Sequence, residues 1–400
     1  MGHCYFLPLT LRYTKNLMTK LIHSFCLKTY NNPVLGSIVP IMAATALLSL
    51  SACQQPPEYD YLSGETMGTS YHISYKLPEG ADESAIQAAI DSRLQDINDS
   101  MSTYQDDSTI SKFNKLAKNQ PIIIDADFDH VLAISRQVYE QSGGAFDPTV
   151  MPLIDTWGFG STMTVERLQS PPTPAEIAQA KALVDFESVI QDDNTIYKTK
   201  NGVGLDFSAV AKGYGVDVIA DVLRDDYQIR NYMVEIGGEI ATSGVNSQQQ
   251  PWQIAIDAPI EGSTVSERQT ITGIRQPINN ANKMYLATSG NYRNSVIFDG
   301  KHYSHTIDPT TGEPIVGGAP SVTVAADSVA LADAWATALT ALPYEKALTL
   351  AKEHDIAALF VVLADGIKPA DIENAKENGI DHWQVVQTSA MQNLRADKKS

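Results

Sequence analysis

Apolar and polar positions recur along this chain with two periods. Tyr71, Ile73 and Tyr75 alternate with polar neighbours, the period-two pattern of a half-buried strand. Past Asp82, a side chain suited to capping a helix, Ile86, Ala89, Ile90, Leu94 and Ile97 fall at i, i+3, i+4 spacing and predict an amphipathic helix. A second helix is predicted from Phe128 to Tyr139, stopped at Gly143-Gly144 by the left-handed backbone that glycine adopts freely. Residues 169–174 read as a Pro-rich loop, Ala175 to Val184 as a helix and Ser208 to Leu223 as a longer one. Strand patterns follow at 232–236, 252–256, 269–274, 295–298, 321–325 and 357–363. A helix pair, Asp327 to Leu342 and Tyr344 to His354, separates the last two. Strands in runs, with helices between them in pairs, predict an α+β fold with mostly antiparallel sheets. Residues 245–284 are polar and loop-rich, as a peripheral insertion would be, and residues 389–400 read as a polar, frayed tail.

The first 52 residues follow a different pattern. They carry Arg12, Lys15, Lys20 and Lys28 and no acid, then an apolar run from Val34 to Leu50, then Leu50-Ser51-Ala52-Cys53. A basic stretch, an apolar stretch and small residues before a cleavage point make a secretory signal. Cys53 after Leu-Ser-Ala resembles the lipobox of bacterial lipoproteins. Residues 1–52 are therefore expected to be cleaved, Cys53 to be lipidated and residues 53–62 to form a tether. The remainder would sit on the periplasmic side of the cell envelope, anchored to the inner or outer membrane. The alternative is a transmembrane anchor, for which a run of about 17 residues containing Pro40 is marginal.

The chain has 29 basic and 47 acidic residues, a net charge of −18. Loss of the signal removes four basic residues and no acid and leaves −22. Such a surface argues against nucleic-acid binding, which neutralises phosphates with basic side chains. It also makes an anionic substrate awkward unless a cation is recruited locally. Cys4 and Cys26 leave with the signal, so Cys53 would be the sole cysteine. That excludes an internal disulfide, a thiolate metal site and a cysteine nucleophile. There is also no P-loop, no H-E-x-x-H and no G-x-S-x-G. Gly202-Val203-Gly204 begins like a dinucleotide fingerprint and lacks the third glycine.

Four stretches carry candidate chemistry. In Gly143-Gly144-Ala145-Phe146-Asp147-Pro148-Thr149, followed by Trp157-Gly158-Phe159-Gly160, paired glycines allow close backbone approach, Phe146 offers a ring to stack on and Asp147 an acceptor for ring N–H groups. The same residues also suit a helix stop leading into a turn. In Leu205-Asp206-Phe207-Ser208-Ala209-Val210-Ala211-Lys212-Gly213-Tyr214, Asp206 or Ser208 marks a helix start with Lys212 one turn in, an anion site for a pyrophosphate or simply a cap beside a solvated lysine. In Ser304-His305-Thr306-Ile307-Asp308-Pro309, His305 precedes a Pro/Gly-rich turn and suits proton transfer near neutral pH, although a lone surface histidine is more often inert. In Ala332-Asp333-Ala334-Trp335-Ala336-Thr337, the acid and the hydroxyl lie i, i+4 on one helix face and supply hard oxygen ligands suited to Mg²⁺. An Asp bonded to a nearby backbone N–H is the alternative there.

Together these stretches resemble the FAD:protein FMN transferase family, the ApbE-like flavin transferases, from about Ser63 to Leu342. Glu65-Thr66-Met67-Gly68-Thr69, Met101-Ser102-Thr103-Tyr104, Glu235-Ile236-Gly237-Gly238-Glu239 and Ala287-Thr288-Ser289-Gly290-Asn291-Tyr292 fit in order with the four above. The resemblance implies a T-fold-like catalytic domain over 63–388. It implies that Asp333, Thr337 and the carbonyl of Ala209 hold Mg²⁺, and that Met67, Tyr104, Ala145, Phe146, Asp147, Asp206, Lys212 and Ile307 line an FAD site. His305 would be the general base. Asn291 stands where the family usually has Asp. The implied reaction moves FMN from FAD to a Thr or Ser hydroxyl of an acceptor protein and releases AMP. The implied acceptors are exported subunits of sodium-pumping NADH:quinone reductase or related electron-transfer complexes. An FAD pyrophosphatase and a non-catalytic flavin-binding lipoprotein remain the alternatives.

Overall fold

The computed structural model describes residues 59–159, 170–260, 269–278, 282–291, 295–298, 301–367 and 382–395. Cys53 and the expected signal segment, residues 1–52, lie outside the described residues. In chain order the strands are β1 (Tyr59–Thr66), β2 (Thr69–Lys76), β3 (Ile122–Ile123), β4 (Val189–Asp192), β5 (Thr195–Lys198), β6 (Tyr232–Ile236), β7 (Glu239–Ser243), β8 (Gln253–Asp257), β9 (Thr270–Arg275), β10 (Lys283–Gly290), β11 (Ser295–Phe298), β12 (Lys301–Ser304), β13 (Ser321–Ala325), β14 (Ala357–Leu363) and β15 (Trp383–Gln387). The helices are α1 (Glu83–Met101), α2 (Thr109–Lys115), α3 (Ala126–Gln141), α4 (Met151–Trp157), α5 (Pro174–Lys181), α6 (Ala211–Asp221), α7 (Val329–Thr340), α8 (Tyr344–Glu353) and α9 (Ser389–Arg395).

Eight strands form one sheet in the order β1-β2-β6-β7-β10-β13-β14-β15, with every neighbouring pair antiparallel. This is the α+β architecture that the runs of strands predict. Helices cover one face. Tyr71, Ile73, Tyr75 and Tyr232 form one core with Ile86, Ile90 and Leu94 of α1 and Val216 and Ile219 of α6. Phe360 and Val362 of β14 join Ala332, Ala336 and Leu339 of α7 in a second core. The intervening Leu359 and Val361 point the other way and meet Ile254, Ile256, Ile274 and Met391. Burial on both faces explains why β14 reads as an unbroken apolar run, Ala-Ala-Leu-Phe-Val-Val-Leu.

Four expectations are corrected. Residues 245–284 are not merely a peripheral insertion: β8 and β9 form a hairpin whose isoleucines seal the second face of the sheet. The C-terminal segment is not frayed up to Arg395, because Met391 of α9 is fully buried and the Thr388 hydroxyl donates to Ile356 O at 2.7 Å. Residues 59–62, expected to belong to the tether, are instead part of β1, where Tyr59 to Leu62 pair with Lys76 to Ile73. The helix expected from Ser208 begins at Ala211, because the Asp206 carboxylate captures the Ser208 N–H at 2.7 Å and holds the chain in a turn.

Candidate active site

The floor of the site is the crossing of α6 and α7. Gly213 lies at the contact: a Cβ there would come 2.5 Å from the Val329 carbonyl oxygen, so only glycine admits this approach. The two helices cap each other. Asp217 of α6 accepts from Val329 N and Ala330 N, each at 2.9 Å, at the start of α7. Asp333 of α7 accepts from Gly213 N at 3.2 Å, near the start of α6. Both carboxylates thereby satisfy backbone N–H groups that a helix start leaves open. Asp333 and Thr337 both line the cleft above, and Asp333 is only 4% exposed.

Turns and a hairpin build the walls. Asp147 Oδ1 accepts from Thr149 N at 2.8 Å and Thr149 Oγ1 at 2.6 Å, closing the turn that presents Ala145 and Phe146. Asp206 Oδ1 accepts from Ser208 Oγ at 2.5 Å, and Asp206 N donates to Pro148 O at 2.7 Å, locking the two turns together. The β6–β7 hairpin turns through Gly237 and Gly238, at φ 59° and 111°, and delivers Glu239. His305 follows β12 and meets the Phe159 ring edge-on at 6.3 Å. Its segment is held on both sides. Trp157 Nε1 donates to Gly312 O at 2.8 Å. Ser304 Oγ donates to Asn291 Oδ1 at 3.0 Å, and Asn291 Nδ2 donates to Thr340 O at 3.3 Å, at the end of α7. The amide at 291 thus donates to a carbonyl, which an ionised Asp cannot do.

The cleft measures about 400 Å³. Ala145, Phe146, Asp147, Asp206, Ala209, Lys212, His305, Ile307, Asp333 and Thr337 all line it. Met67 and Tyr104 line an adjoining lobe of about 190 Å³, and Lys212 and Ser208 border both spaces. Every candidate site residue among the described residues therefore lines one of two spaces that share Ser208 and Lys212. Glu239 stands in the Glu-Ile-Gly-Gly-Glu motif, which gave it no role, yet it lines the cleft. It is 2% exposed, accepts from Lys212 Nζ at 2.5 Å and leaves its other oxygen, Oε2, buried without a hydrogen-bond partner. Its signal in the sequence was the Gly-Gly pair before it, which forces a tight hairpin and fixes where the next side chain points.

Charge is concentrated at this centre. Burial alone would lower Lys212, but Asp333 and Glu239 hold it well above its ordinary value, so it stays an ammonium. Burial pushes the Glu239 and Asp333 carboxyls up, and Lys212 opposes the rise in both. Burial raises Asp147 to about 6, against the two hydrogen bonds from Thr149. Asp206 is raised for the same reason. Among the described residues no three His, Cys, Asp or Glu side chains group as a metal cluster. A cation here would draw on Asp333 together with hydroxyl and carbonyl oxygens, and Thr337 and Ala209 supply those in the same cleft.

The family model described as the ApbE family matches residues 67–360. The chain belongs to the ApbE family. Relatives agree over most of its length. It is 40% identical to the FAD:protein FMN transferase of Vibrio cholerae serotype O1 over 329 residues, 81% of this chain and 94% of that one. It is 39% identical to that of Haemophilus influenzae, over 81% of this chain and 92% of the relative. Among solved structures, the flavin transferase ApbE from Vibrio cholerae superposes with a TM-score of 0.71 at 36% identity, covering 84% of this chain and 99% of that chain. The Pseudomonas stutzeri flavinyl transferase ApbE in its apo form gives 0.71 at 30%, covering 84% and 97%. The ApbE fold thus accounts for the antiparallel sheet and for the convergence of the motifs on one cleft.

Proposed function

We propose that this chain is an FAD:protein FMN transferase that moves the FMN half of FAD onto a Thr or Ser hydroxyl of an acceptor protein and releases AMP. The convergence of four separated motifs on one two-lobed cleft, with Lys212 bordering both lobes, carries the reading. A dinucleotide has two bulky ends and an anionic centre, and this cleft has two spaces and an ammonium where they meet.

The acceptor hydroxyl attacks the FMN-side phosphorus, and the bond from that phosphorus to the bridging oxygen breaks, so the oxygen leaves with AMP. His305 takes the hydroxyl proton as the new P–O bond forms. Lys212, though paired with Glu239, donates hydrogen bonds to the pyrophosphate and orients it. The turns of Asp147 and Asp206 fix the substrate, and the exposed Tyr104 offers a ring for stacking; Phe146, expected to do the same, is instead 2% exposed and packs into the core behind the cleft wall. The nucleophile belongs to the acceptor, which explains why the chain needs no activated Ser or Cys of its own. Asp333, Thr337 and the Ala209 carbonyl would hold Mg²⁺. Bound there, the metal would neutralise charge on the pyrophosphate and on the leaving group.

The remaining assignments extend the same reading. Cys53 is the lipidated residue, the protein is held on the periplasmic side of the envelope, and exported subunits of sodium-pumping NADH:quinone reductase or related complexes are the acceptors. The test incubates the full chain with FAD, Mg²⁺ and such an acceptor domain. Flavin fluorescence is expected on the acceptor band of a denaturing gel, and His305→Ala should abolish it. Free FMN and AMP with no labelled protein would make the chain a hydrolase instead.

A further inference from the structure

We infer that Glu239 is a positioning residue for the metal site. Its carboxylate neutralises Lys212, so that the ammonium and a divalent cation on Asp333 can sit side by side. The inference rests on the reading of Asp333 as a metal ligand.

Lys212 Nζ lies 2.5 Å from Glu239 Oε1 and 3.9 Å from Asp333 Oδ2. The Glu239 and Asp333 side chains are 3% and 6% exposed and that of Lys212 28%, so water screens the carboxylates little and the ammonium only in part. A divalent cation on Asp333 would face the Lys212 ammonium at close range, and partly buried like charges repel. Glu239, paired with Lys212 on its other side, supplies the charge that offsets the ammonium. Were it neutral, Asp333 would be the nearest carboxylate left to Lys212, and their ion pair would compete with the metal for the Asp333 charge. Glu235 does not replace it: its Oε1 is engaged by the Gly238 N–H at 2.6 Å, and it makes no ion pair with Lys212.

The geometry fits a fixed counter-charge. Glu239 is the first residue of β7, placed by a two-glycine turn and paired with Ile236 across the hairpin. Its position is set by the sheet, whereas Lys212 and Asp333 are set by the helix crossing. The hydrogen bond to Lys212 uses one oxygen, and Oε2 stays buried without a partner. A buried carboxylate with an unsatisfied oxygen is costly to maintain for stability alone.

The test measures Mn²⁺ binding to the full chain in detergent by electron paramagnetic resonance, without FAD, so that no turnover is involved. Asp333→Ala should abolish binding; if it binds as wild type does, the metal is not on Asp333 and the inference falls with that reading. With Asp333→Ala negative, Glu239→Gln should weaken binding about ten-fold or more. Adding Lys212→Met to Glu239→Gln removes the repelling cation and should restore affinity to within about three-fold of wild type. Melting curves of both variants check that they fold, and the double variant leaves no unpaired lysine to compromise folding. Unchanged binding in Glu239→Gln would overturn the inference. So would a loss that Lys212→Met fails to restore, since Glu239 would then be a direct ligand.

Discussion

The two lobes of the cleft are built in opposite ways. The charged floor is helix packed on helix: Gly213 lets α6 and α7 touch, Asp217 and Asp333 cap each other's helices, and Asp333 is 4% exposed. The neighbouring lobe sets a turn and an exposed ring against the end of α1, where Ile97, Asn98 and Met101 line it. Met67 and Gly68 form a two-residue hairpin loop between Thr66 and Thr69, at φ 50° and 72°. Such loops favour Asn or Gly, and a Met held there costs about 1–2 kcal/mol. Tyr104 is 86% exposed. Groups that stabilise developing charge must be in place before the substrate arrives, because reorganising them during the reaction raises the barrier. Groups that grip a flat ring can close on it afterwards. The protein has spent its packing on the first task and tolerates strain and exposure for the second.

That contrast breaks most readily at Asp333. Asp333→Ala removes the proposed metal ligand, the Gly213 cap and one carboxylate beside Lys212, and flavinylation should fall about 10³-fold, read as initial rates at saturating FAD and Mg²⁺. Gly213→Ala tests the floor by packing alone. A methyl 2.5 Å from a backbone oxygen forces the helices apart, so stability should drop by about 1–3 kcal/mol in urea unfolding, with activity falling alongside. Tyr104→Ala probes the other lobe. KM for FAD should rise about ten-fold, corresponding to the ~1–3 kcal/mol of a lost stacking contact, while the melting temperature stays unchanged. If Tyr104→Ala destabilises the fold as Gly213→Ala does, the two lobes are not built differently after all.

The smallest effect concerns pH. Burial raises Asp147 to about 6 from 3.8. Below about 6 it carries a proton and no longer accepts freely from a substrate N–H, so KM for FAD should climb as pH falls through that value. Asp147→Asn should flatten this dependence. The stability sign is the reverse. The folded state holds the proton more tightly than the unfolded chain, so this group favours the fold increasingly as pH falls from about 6 towards 3.8, and opposes it above. A melting-temperature profile of wild type against Asp147→Asn reads this directly.

Much of this was legible in the sequence where the pattern was local. The helix pair ending in α7 and α8 follows from its apolar spacing, with Ser328 accepting from Leu331 N as cap. The strand at 357–363 follows from seven apolar residues in a row. Pattern reading failed at β10, a central strand that forms the end of a stretch rich in polar residues. Lys283, Tyr285 and Thr288 make it look solvated, yet it pairs with β7 on one side and β13 on the other. It failed again at α6, where the Asp206 turn delays a helix that propensity alone would begin at Ser208.

By itself the sequence determined the local periods, the turn chemistry, the order of the motifs and hence the ApbE family, because each of these depends on residues close together in the chain. Only the tertiary structure decided that Lys212 lies between Glu239, 27 residues on, and Asp333. The first of those partners comes from a sheet and the second from a helix, and no period along the chain relates them. Their meeting depends on a sheet that places β7 beside the α6–α7 crossing and on a glycine that lets the two helices touch.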